Sequence, residues 1–426
     1  MLDINFILEN VNLVKENIKN KNVVCNLDEV IFAYKKYKDF VQQVDENNRK
    51  MNENTKEVIE QKKNGNADKL IANGRILKEK SKALADELAL AKAKYEEIAL
   101  TVPNIMADDT PIDKDGTGNV EIEKYLEPTA FDFKPKSHME LGKDLDLIDF
   151  DRASKVAGPK FYYLKNELVI LELALEMFAI NKLIKKGYTP ITTPDVAKTG
   201  ILQSSGFNPR GAESNTYKLE DLDLNLIATA EITIGGFHSG EVLKLADLPL
   251  KYVGLSHCFR REAGAPGKND AGLYRVHQFS KVEMYQFTTV EDGERALQEL
   301  LSIEKEIYQD LKIPYHIVRI CSGDMGAPAF KKFDIEAWMP KRGENGDYGE
   351  VTSVGNFTTF QSRRLNITYL DKDGKKQFIN TLNGTAIALT RTILAIMENY
   401  QQKDGSILIP KVLQAYTGFS KIERKN

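Results

Sequence analysis

The chain has 426 residues, of which 42% are hydrophobic and 28% are charged, and these values are typical of a globular protein. This composition excludes a collagen-like or wholly disordered chain, and the length predicts two or three cores. With 59 Lys and Arg against 62 Asp and Glu, the formal charge is −3, so a polyanionic partner requires a local basic patch.

The cysteines and the N-terminus indicate a reducing compartment. Cys25, Cys258 and Cys321 do not form a CxxC pair or any other metal-ligand spacing, so neither a disulfide framework nor a cysteine-rich zinc site is expected. The N-terminus reaches Asp3 before any apolar run long enough for a signal peptide, and the most apolar stretch, 168–180, is interrupted by two glutamates. We therefore expect a cytoplasmic protein without a membrane partner.

From residue 27 to residue 102 the chain lacks proline and is rich in Lys, Glu, Asn and Ala, which favours long helices. Alternating steps of four and three give a first heptad seam, apolar at seven of nine positions: Val30, Tyr34, Tyr37, Val41, Val44, Asn48, Met51, Thr55 and Val58. After the turn signal Asn64-Gly65-Asn66, a second seam is apolar at eight of ten positions: Leu70, Gly74, Leu77, Ser81, Leu84, Leu88, Ala91, Tyr95, Ile98 and Val102. Two such seams joined by one turn predict an antiparallel helical hairpin.

The charge of this hairpin is uneven. Residues 49–82 hold ten Lys and Arg against five Asp and Glu, a net charge of +5. A basic distal half is a plausible contact for a phosphate backbone. The alternative is a solvated coiled coil whose charges serve only solubility.

The turn-rich, acidic stretch 107–119 is typical of a linker. From about Val120, predicted helices (168–186, 293–311 and 386–402) mix with predicted strands (252–259, 276–287 and 366–370). Strands outnumber a strict βαβ alternation, which favours an α+β fold with an antiparallel sheet flanked by helices.

The stretch 258–285 is the most informative for chemistry and predicts two antiparallel strands with a long connection. Residues of equal parity share one face of a strand, which groups two sets of side chains: Arg260 with Glu262, and Arg275 with Phe279 and Glu283. Guanidinium groups, a ring and carboxylates on one surface suit phosphates, a purine face and an ammonium group. Cross-strand ion pairing without a ligand is the alternative from this segment alone.

These residues carry a resemblance to a known family. FRREAG followed by GLYRVHQFSKVEMYQF resembles motif 2 of class II aminoacyl-tRNA synthetases in the form found in seryl-tRNA synthetases, and TLNGTAIALTR resembles motif 3. Gly187-Tyr188-Thr189-Pro190 with Pro194 resembles motif 1, and Thr229-Ala230-Glu231 resembles the serine-site loop. The resemblance covers essentially the whole chain, including the hairpin.

The resemblance implies an aminoacyl-tRNA synthetase that activates L-serine with ATP to seryl-adenylate and transfers the seryl group to the 3′ end of tRNA(Ser), with tRNA(Sec) left open as a second acceptor. It implies a homodimer with motif 1 at the interface, and it implies no membrane or DNA partner. The implied domains are a tRNA-binding hairpin arm at 1–106, a linker at 107–119 and a catalytic domain at 120–426. The loop 264–272 would meet the acceptor end of the tRNA.

By the same resemblance, Arg260 and Arg391 act as catalytic residues, and Arg391 and Phe279 sandwich the adenine. The implied ATP-binding residues are Arg260, Arg261, Glu262, Arg275, Val276, Phe279, Glu350, Val351, Thr352, Ser353 and Arg391. The implied serine-binding residues are Thr229, Ala230, Glu231, Arg260, Glu283, Asn383 and Thr385. Glu350 and Ser353 resemble ligands of Mg²⁺, and because a regular strand would place them on opposite faces, this assignment requires a β-bulge.

Four places depart from the family's usual pattern. Val354-Gly355 stand where Cys-Ser is usual, Gly349 where arginine is common, Thr359 where aspartate is common, and Ala386 where many members have glycine. Two other functions remain possible from the sequence: a synthetase paralogue that delivers an activated amino acid to a non-tRNA acceptor, and a catalytically silent RNA-binding protein of the same fold.

Overall fold

The computed structural model describes residues 1–207, 216–262 and 271–424. The chain divides into two compact units, Met1–Pro103 and Asn104–Asn426. Across the described ranges, no helix combines the length and the apolar character needed to cross a membrane.

The first unit is helical. Its helices are α1 (Ile4–Glu9), α2 (Val11–Asn20), α3 (Leu27–Asn64) and α4 (Asp68–Ala99). Asn26 caps α3 by accepting a hydrogen bond from the Glu29 amide (3.3 Å), and two lysines in the last turn complement the helix dipole. Gly65 ends α3 with φ of +146°, a backbone conformation that favours glycine. The predicted helical hairpin is therefore confirmed.

The second predicted seam is confirmed along α4, but the first seam is wrong at two positions on α3. Asn48 and Thr55 are exposed, while Asn47 and Asn54 are buried in their place. The Asn47 amide donates to the Leu77 carbonyl (3.1 Å) and the Asn54 amide to the Leu70 carbonyl (3.0 Å). Because these amides find partners on the facing helix, they occupy the interface although they are polar.

The second unit mixes helices and strands. Its described helices are α5 (His138–Asp144), α6 (Phe150–Ala157), α7 (Glu167–Lys185), α8 (Thr199–Ser204), α9 (Ala230–Gly235), α10 (Gly293–Asp310), α11 (Phe360–Leu365), α12 (Leu389–Asn399) and α13 (Gln414–Thr417). The described strands before residue 300 are β1 (Val120–Tyr125), β2 (Ile148–Asp149), β3 (Tyr163–Leu164), β4 (Thr189–Thr192), β5 (Val196–Lys198), β6 (Tyr217–Lys218), β7 (Leu224–Leu226), β8 (Val242–Lys244), β9 (Leu250–Phe259) and β10 (Gln278–Thr288). Those after residue 300 are β11 (Tyr315–Arg319), β12 (Lys331–Met339), β13 (Asp347–Thr358), β14 (Thr368–Leu370), β15 (Lys376–Phe378), β16 (Asn380–Ala388), β17 (Ile407–Leu408) and β18 (Lys421–Ile422).

The main sheet of the described residues has eight strands in the order β1-β11-β12-β13-β16-β10-β9-β4. Neighbouring strands are antiparallel except for β4, which pairs parallel with β9 at one edge. The helices α7, α10 and α12 pack on this sheet around a core that includes Leu171, Leu300 and Ile393, all fully buried. The predicted α+β fold with an antiparallel sheet and flanking helices is confirmed.

One predicted helix is too long at its start. Residues 386–388 belong to β16, where Ile387 pairs with Val282 and Ala388 with Lys281 of β10, so the helix begins only at Leu389. Apolar residues continue without a break across this junction, and a fully buried strand has no helical or alternating signature to separate it from a helix.

Residues 104–119 belong to the second unit and are tied to the rest of it by hydrogen bonds. The Asn104 amide side chain donates to the Phe357 carbonyl (2.9 Å), and the Ala107 amide donates to the Phe330 carbonyl (2.8 Å). Further along, the Cys321 thiol donates to the Asp115 carbonyl (3.0 Å). The boundaries of the tRNA-binding arm, the linker and the catalytic domain stay predictions.

Candidate active site

A cavity of about 200 Å³ opens in the second unit, where β9, β10, β13 and β16 meet the start of α12. Fourteen of the seventeen predicted site residues line it: Thr229, Glu231, Arg260, Glu262, Arg275, Val276, Phe279, Glu350, Val351, Thr352, Ser353, Asn383, Thr385 and Arg391. Residues that are more than 160 positions apart in sequence therefore share one cavity.

Three predicted residues do not line the cavity. Glu283 is fully buried and contacts lining residues through hydrogen bonds. Ala230 is also fully buried and packs in a hydrophobic cluster with Tyr285. Arg261 is exposed. The predicted roles of all three stay predictions.

One end of the cavity is built around the Glu283 carboxylate. It accepts hydrogen bonds from the Thr229 hydroxyl (3.3 Å) and from the Asn383 amide (3.0 Å). It also forms an ion pair with the Lys281 ammonium, whose side chain is only 7% exposed. We call this set of residues, together with Glu231, the buried end of the cavity.

Glu231 is held beside Glu283 by amides. Its two carboxylate oxygens accept from the Asn383 amide (2.9 Å) and the Gln361 amide (2.7 Å). Gln361 is itself fixed, because its carbonyl oxygen accepts from the Tyr285 hydroxyl (2.7 Å). Burial and the neighbouring Glu283 carboxylate raise the pKa of Glu231 to about 7, although Lys281 opposes them. Glu231 can therefore change its charge near neutral pH.

A second part of the cavity lining holds arginines and aromatic rings. The Arg260 guanidinium lies 5.3 Å from the centre of the Phe279 ring, and its Nε donates to the Ala228 carbonyl (3.3 Å). Arg275 forms an ion pair with Glu262, whose φ of +45° is unusual for a residue other than glycine. We call this part of the cavity, together with Arg391 and Glu350, the cationic end.

Arg391 is anchored from the first turn of α12. Its Nη1 donates to the Glu350 carbonyl oxygen (2.9 Å) and lies 3.1 Å from the Glu350 carboxylate, and its Nε donates to the Tyr274 carbonyl (3.2 Å). The guanidinium also stacks on the Tyr274 ring, 4.6 Å from its centre. Burial favours the neutral form of Glu350, but Arg391, Lys332 and Arg260 outweigh it and hold the pKa of Glu350 well below its usual range.

The β-bulge required by the Mg²⁺ assignment is present. Ile335 pairs with Thr352 and Glu336 with Glu350, so Val351 is the extra residue on β13. The bulge lets Glu350 and Ser353 both line the cavity, while the Thr352 hydroxyl donates to Glu304 of α10 (2.8 Å). Two oxygen donors fit a hard cation that takes its other ligands from phosphate and water.

Several lining residues were not predicted: Phe207, Tyr274, Lys281, Lys332, Ala388 and Thr390. The sequence does point to Lys281, because it has the same parity as Phe279 and Glu283 and therefore shares their face of the predicted strand. Lys332 comes from β12 and Tyr274 from the turn before β10, and neither position carried a pattern that sets it apart.

The departures from the family pattern have local explanations at two positions. A Cβ on Gly349 would lie 2.9 Å from the Tyr274 ring, so a longer side chain there requires this ring to move. Thr359 precedes α11 and accepts a hydrogen bond from Arg363 (3.0 Å). Val354 and Ala386 are fully buried.

Most of the predicted acceptor-end loop, residues 264–270, lies outside the described residues.

Two family models match the chain. Residues 1–106 match the seryl-tRNA synthetase N-terminal domain, and residues 217–400 match the class II tRNA synthetase core domain shared by the Gly, His, Pro, Ser and Thr enzymes. The serine–tRNA ligase of Treponema denticola is 49% identical over 422 residues, covering 99% of this chain and 100% of that protein.

Solved structures agree with the sequence relatives. Seryl-tRNA synthetase from Pyrococcus horikoshii, complexed with ATP, gives a TM-score of 0.91 at 38% identity and covers 100% of both chains. Cytoplasmic serine–tRNA ligase from Naegleria fowleri, in complex with AMP, gives 0.86 at 30% identity and covers 100% of this chain and 99% of that one.

Proposed function

The chain belongs to the seryl-tRNA synthetase family, and from this premise we propose how its cavity activates serine. The chain is an aminoacyl-tRNA synthetase with ATP as a substrate and serine and tRNA as its other partners. The observation that carries the proposal is the contrast within one cavity, which joins a buried end rich in carboxylates to a cationic end rich in arginines.

We assign serine to the buried end. Glu231 is held by amides and faces the α-ammonium group, whereas Glu283, already paired with Lys281, accepts the neutral side-chain hydroxyl. Thr229, Asn383 and Thr385 complete the hydrogen bonds, and Arg260 faces the serine carboxylate. Alanine cannot satisfy the hydroxyl partners, which would be left buried and unpaired, so the site rejects it.

We assign ATP to the cationic end. Phe279 and Arg391 enclose the adenine, Glu262 meets its amino group, and Arg275 lies near the terminal phosphate. The ion pairs of Arg275 with Glu262 and of Arg391 with Glu350 hold these cations in place until phosphate oxygens replace the carboxylates. Val276, Val351 and Thr352 supply the cavity wall beside them.

Activation is an in-line displacement. A serine carboxylate oxygen attacks the α-phosphorus, a new P–O bond forms, and pyrophosphate leaves. Arg260 donates hydrogen bonds to both the carboxylate and the α-phosphate and so positions the attack, and Arg391 stabilises the charge that develops. Glu350 and Ser353 would hold a Mg²⁺ ion, which neutralises phosphate charge when it is bound.

Transfer to tRNA follows. A hydroxyl of the terminal ribose attacks the carbonyl carbon of seryl-adenylate, and AMP leaves. We propose that the Met1–Pro103 unit contacts the tRNA through its basic stretch, residues 49–82, and that the catalytic domain needs no such contact for adenylate formation. Removing residues 30–98 should therefore keep serine-dependent ATP–pyrophosphate exchange and impair tRNA charging, and unimpaired charging would exclude this role.

We further propose a cytoplasmic homodimer. The helix α7 leaves apolar side chains exposed along one stretch: Val169, Ile170, Leu173, Met177 and Ile184. An exposed apolar patch on a folded unit is typical of a protein interface. The edge strand β4 carries the motif 1 residues Thr189 and Pro190. Sedimentation of Leu173→Glu should then show a monomer where the unmodified chain is a dimer.

One pair of assays tests the function. ATP–pyrophosphate exchange with each amino acid should respond to serine, and labelled serine should then be attached to tRNA(Ser). Exchange without charging would favour a paralogue with another acceptor, and no exchange with any amino acid would favour a silent RNA-binding protein. Including tRNA(Sec) decides whether it is a second acceptor.

A further inference from the structure

Lys281 places an ammonium group inside the buried end of the cavity. The side chains of Lys281 and Glu283 are 7% and 0% exposed, and the two form an ion pair. The same ammonium lies 3.5 Å from the Thr385 hydroxyl. A lysine so buried is rare unless it is paired, and here it lines the cavity directly.

The Lys281 ammonium balances only one of the two carboxylates at the buried end of the cavity. Glu231 and Glu283 are joined through one amide, that of Asn383. Lys281 balances Glu283, while the hydrogen-bond partners of Glu231 in the described part of the chain include only neutral groups, and it forms no ion pair there. Because we assign Arg260 to the serine carboxylate, Glu231 has no cationic partner of its own among the described residues, and a single substrate ammonium group supplies one.

We propose that Lys281 determines substrate specificity by reserving the Glu283 end of the pocket for a neutral hydroxyl and excluding a cationic group of the same size. The inference rests on the proposed function, because it assumes that serine binds at this end of the cavity. The excluded class is amino acids with a β-ammonium group, and L-2,3-diaminopropionate, which has an ammonium group in place of the serine hydroxyl, is the closest match in size.

The physical basis is electrostatic. A β-ammonium group beside Glu283 would lie next to the Lys281 ammonium, and like charges a few ångströms apart inside a protein repel strongly. Without Lys281, the two carboxylates would instead match the two ammonium groups of the analogue. Specificity obtained by repelling the wrong ligand is as effective as specificity obtained by attracting the right one.

The experiment measures ATP–pyrophosphate exchange with L-serine and with L-2,3-diaminopropionate, and binding of both by calorimetry, for the unmodified protein and for Lys281→Met. The ratio of kcat/KM for serine over the analogue should fall by about 100-fold or more in Lys281→Met, mainly through KM, because the like-charge repulsion that excludes the analogue is removed. Lys281→Arg keeps the charge and should keep the ratio within about tenfold of the unmodified protein.

Two further variants separate specificity from folding. Lys251→Met is a control on the neighbouring strand β9, because Lys251 is partly buried and pairs with Glu299 outside the cavity. This variant should leave the ratio of kcat/KM for serine over the analogue unchanged. Lys281→Met combined with Glu283→Gln removes both charges of the pair, so it avoids an unpaired buried charge and should again reject the analogue.

The outcomes are distinguishable. If serine and the analogue lose activity in parallel in Lys281→Met, or if the double variant accepts the analogue as well as Lys281→Met does, Lys281 has no role in specificity. Ready use of the analogue by the unmodified protein also overturns the inference. Absence of serine-dependent exchange and of serine binding in the unmodified protein overturns the proposed function instead.

Discussion

The two ends of the cavity are stabilised in opposite ways. At the buried end, Glu231 and Glu283 are at most 7% exposed, and their carboxylates are paired before any substrate arrives. At the cationic end, the Glu350 and Arg275 side chains are 41% and 32% exposed, and their ion pairs occupy groups that we assign to ATP. The buried end is therefore preorganised, whereas we expect the cationic end to exchange its internal partners for the ligand.

Glu283 is the residue on which the preorganised buried end depends most. Glu283→Ala leaves Lys281 buried without its partner, so we expect serine-dependent exchange to fall by about 10³-fold and the free energy of unfolding to fall by about 3–5 kcal/mol. Exchange kinetics and urea unfolding measure the two effects. Glu299→Ala, which breaks the more exposed pair with Lys251, should cost less than about 1 kcal/mol and leave exchange intact.

Arg391 tests the cationic end. Arg391→Ala removes a cation that we assign to ATP, so the KM for ATP should rise by about 10–100-fold while the KM for serine changes little. Both KM values are measured from initial rates of ATP–pyrophosphate exchange, with the concentrations of ATP and of serine varied in turn. Arg342→Ala is the matched control, because Arg342 stacks on the same Tyr274 ring (4.1 Å) without lining the cavity. A larger effect on serine than on ATP would contradict the assignment of the two ends.

Glu231 should make serine binding depend on pH. Only ionised Glu231 can pair with the serine ammonium, and its pKa is raised to about 7, so the KM for serine should fall about tenfold between pH 6 and pH 8. Glu283, Lys281 and Arg260 are the charged groups that act on this carboxyl. Glu231→Gln should lose this pH dependence, and an identical profile in the variant would assign the titration to another group.

The same carboxyl links pH to stability. A carboxyl whose pKa is raised by folding stabilises the fold fully below its unfolded pKa, and this contribution is lost as pH rises through the folded value. The free energy of unfolding should therefore drop by about 3 kcal/mol between about pH 4.5 and pH 7.5 relative to Glu231→Gln. Urea unfolding of both proteins across this range gives the difference directly.

The smallest effect is expected at Arg275. Its ion pair with Glu262 is partly exposed, so Arg275→Ala should change the free energy of unfolding by less than about 1 kcal/mol. The KM for ATP should rise about fivefold, since one charge-assisted contact to phosphate is lost. A large loss of stability would show that the cationic end is as preorganised as the buried end.

The features that the sequence predicted are those set by residues close together in the chain. The strands β9 and β10 and the shared face of Phe279 and Glu283 were predictable because alternation along a strand is a local property. Helix α7 was predictable from its apolar length. The family resemblance then identified residues from four separate segments that the sheet brings into one cavity.

What the sequence did not predict depends on pairing between distant segments. Gln361 supports Glu231 from 130 positions away, and no local pattern distinguishes it from a surface glutamine. Lys332 enters the cavity only because β12 pairs with β13. Asn47 and Asn54 were missed because a count of apolar residues cannot show that a polar side chain has a partner on the facing helix.

Asn47 and Asn54 fix the register in which α4 packs against α3. If α4 slid along α3 by one turn, the amides of Asn47 and Asn54 would lose the carbonyls of Leu77 and Leu70 inside an apolar interface, at a cost of about 1–3 kcal/mol each. Apolar seams alone present an apolar residue about once per turn, at alternating steps of four and three residues, and would tolerate such a shift. The asparagines thus fix the register of the hairpin and so determine which residues of α3 and α4 lie side by side.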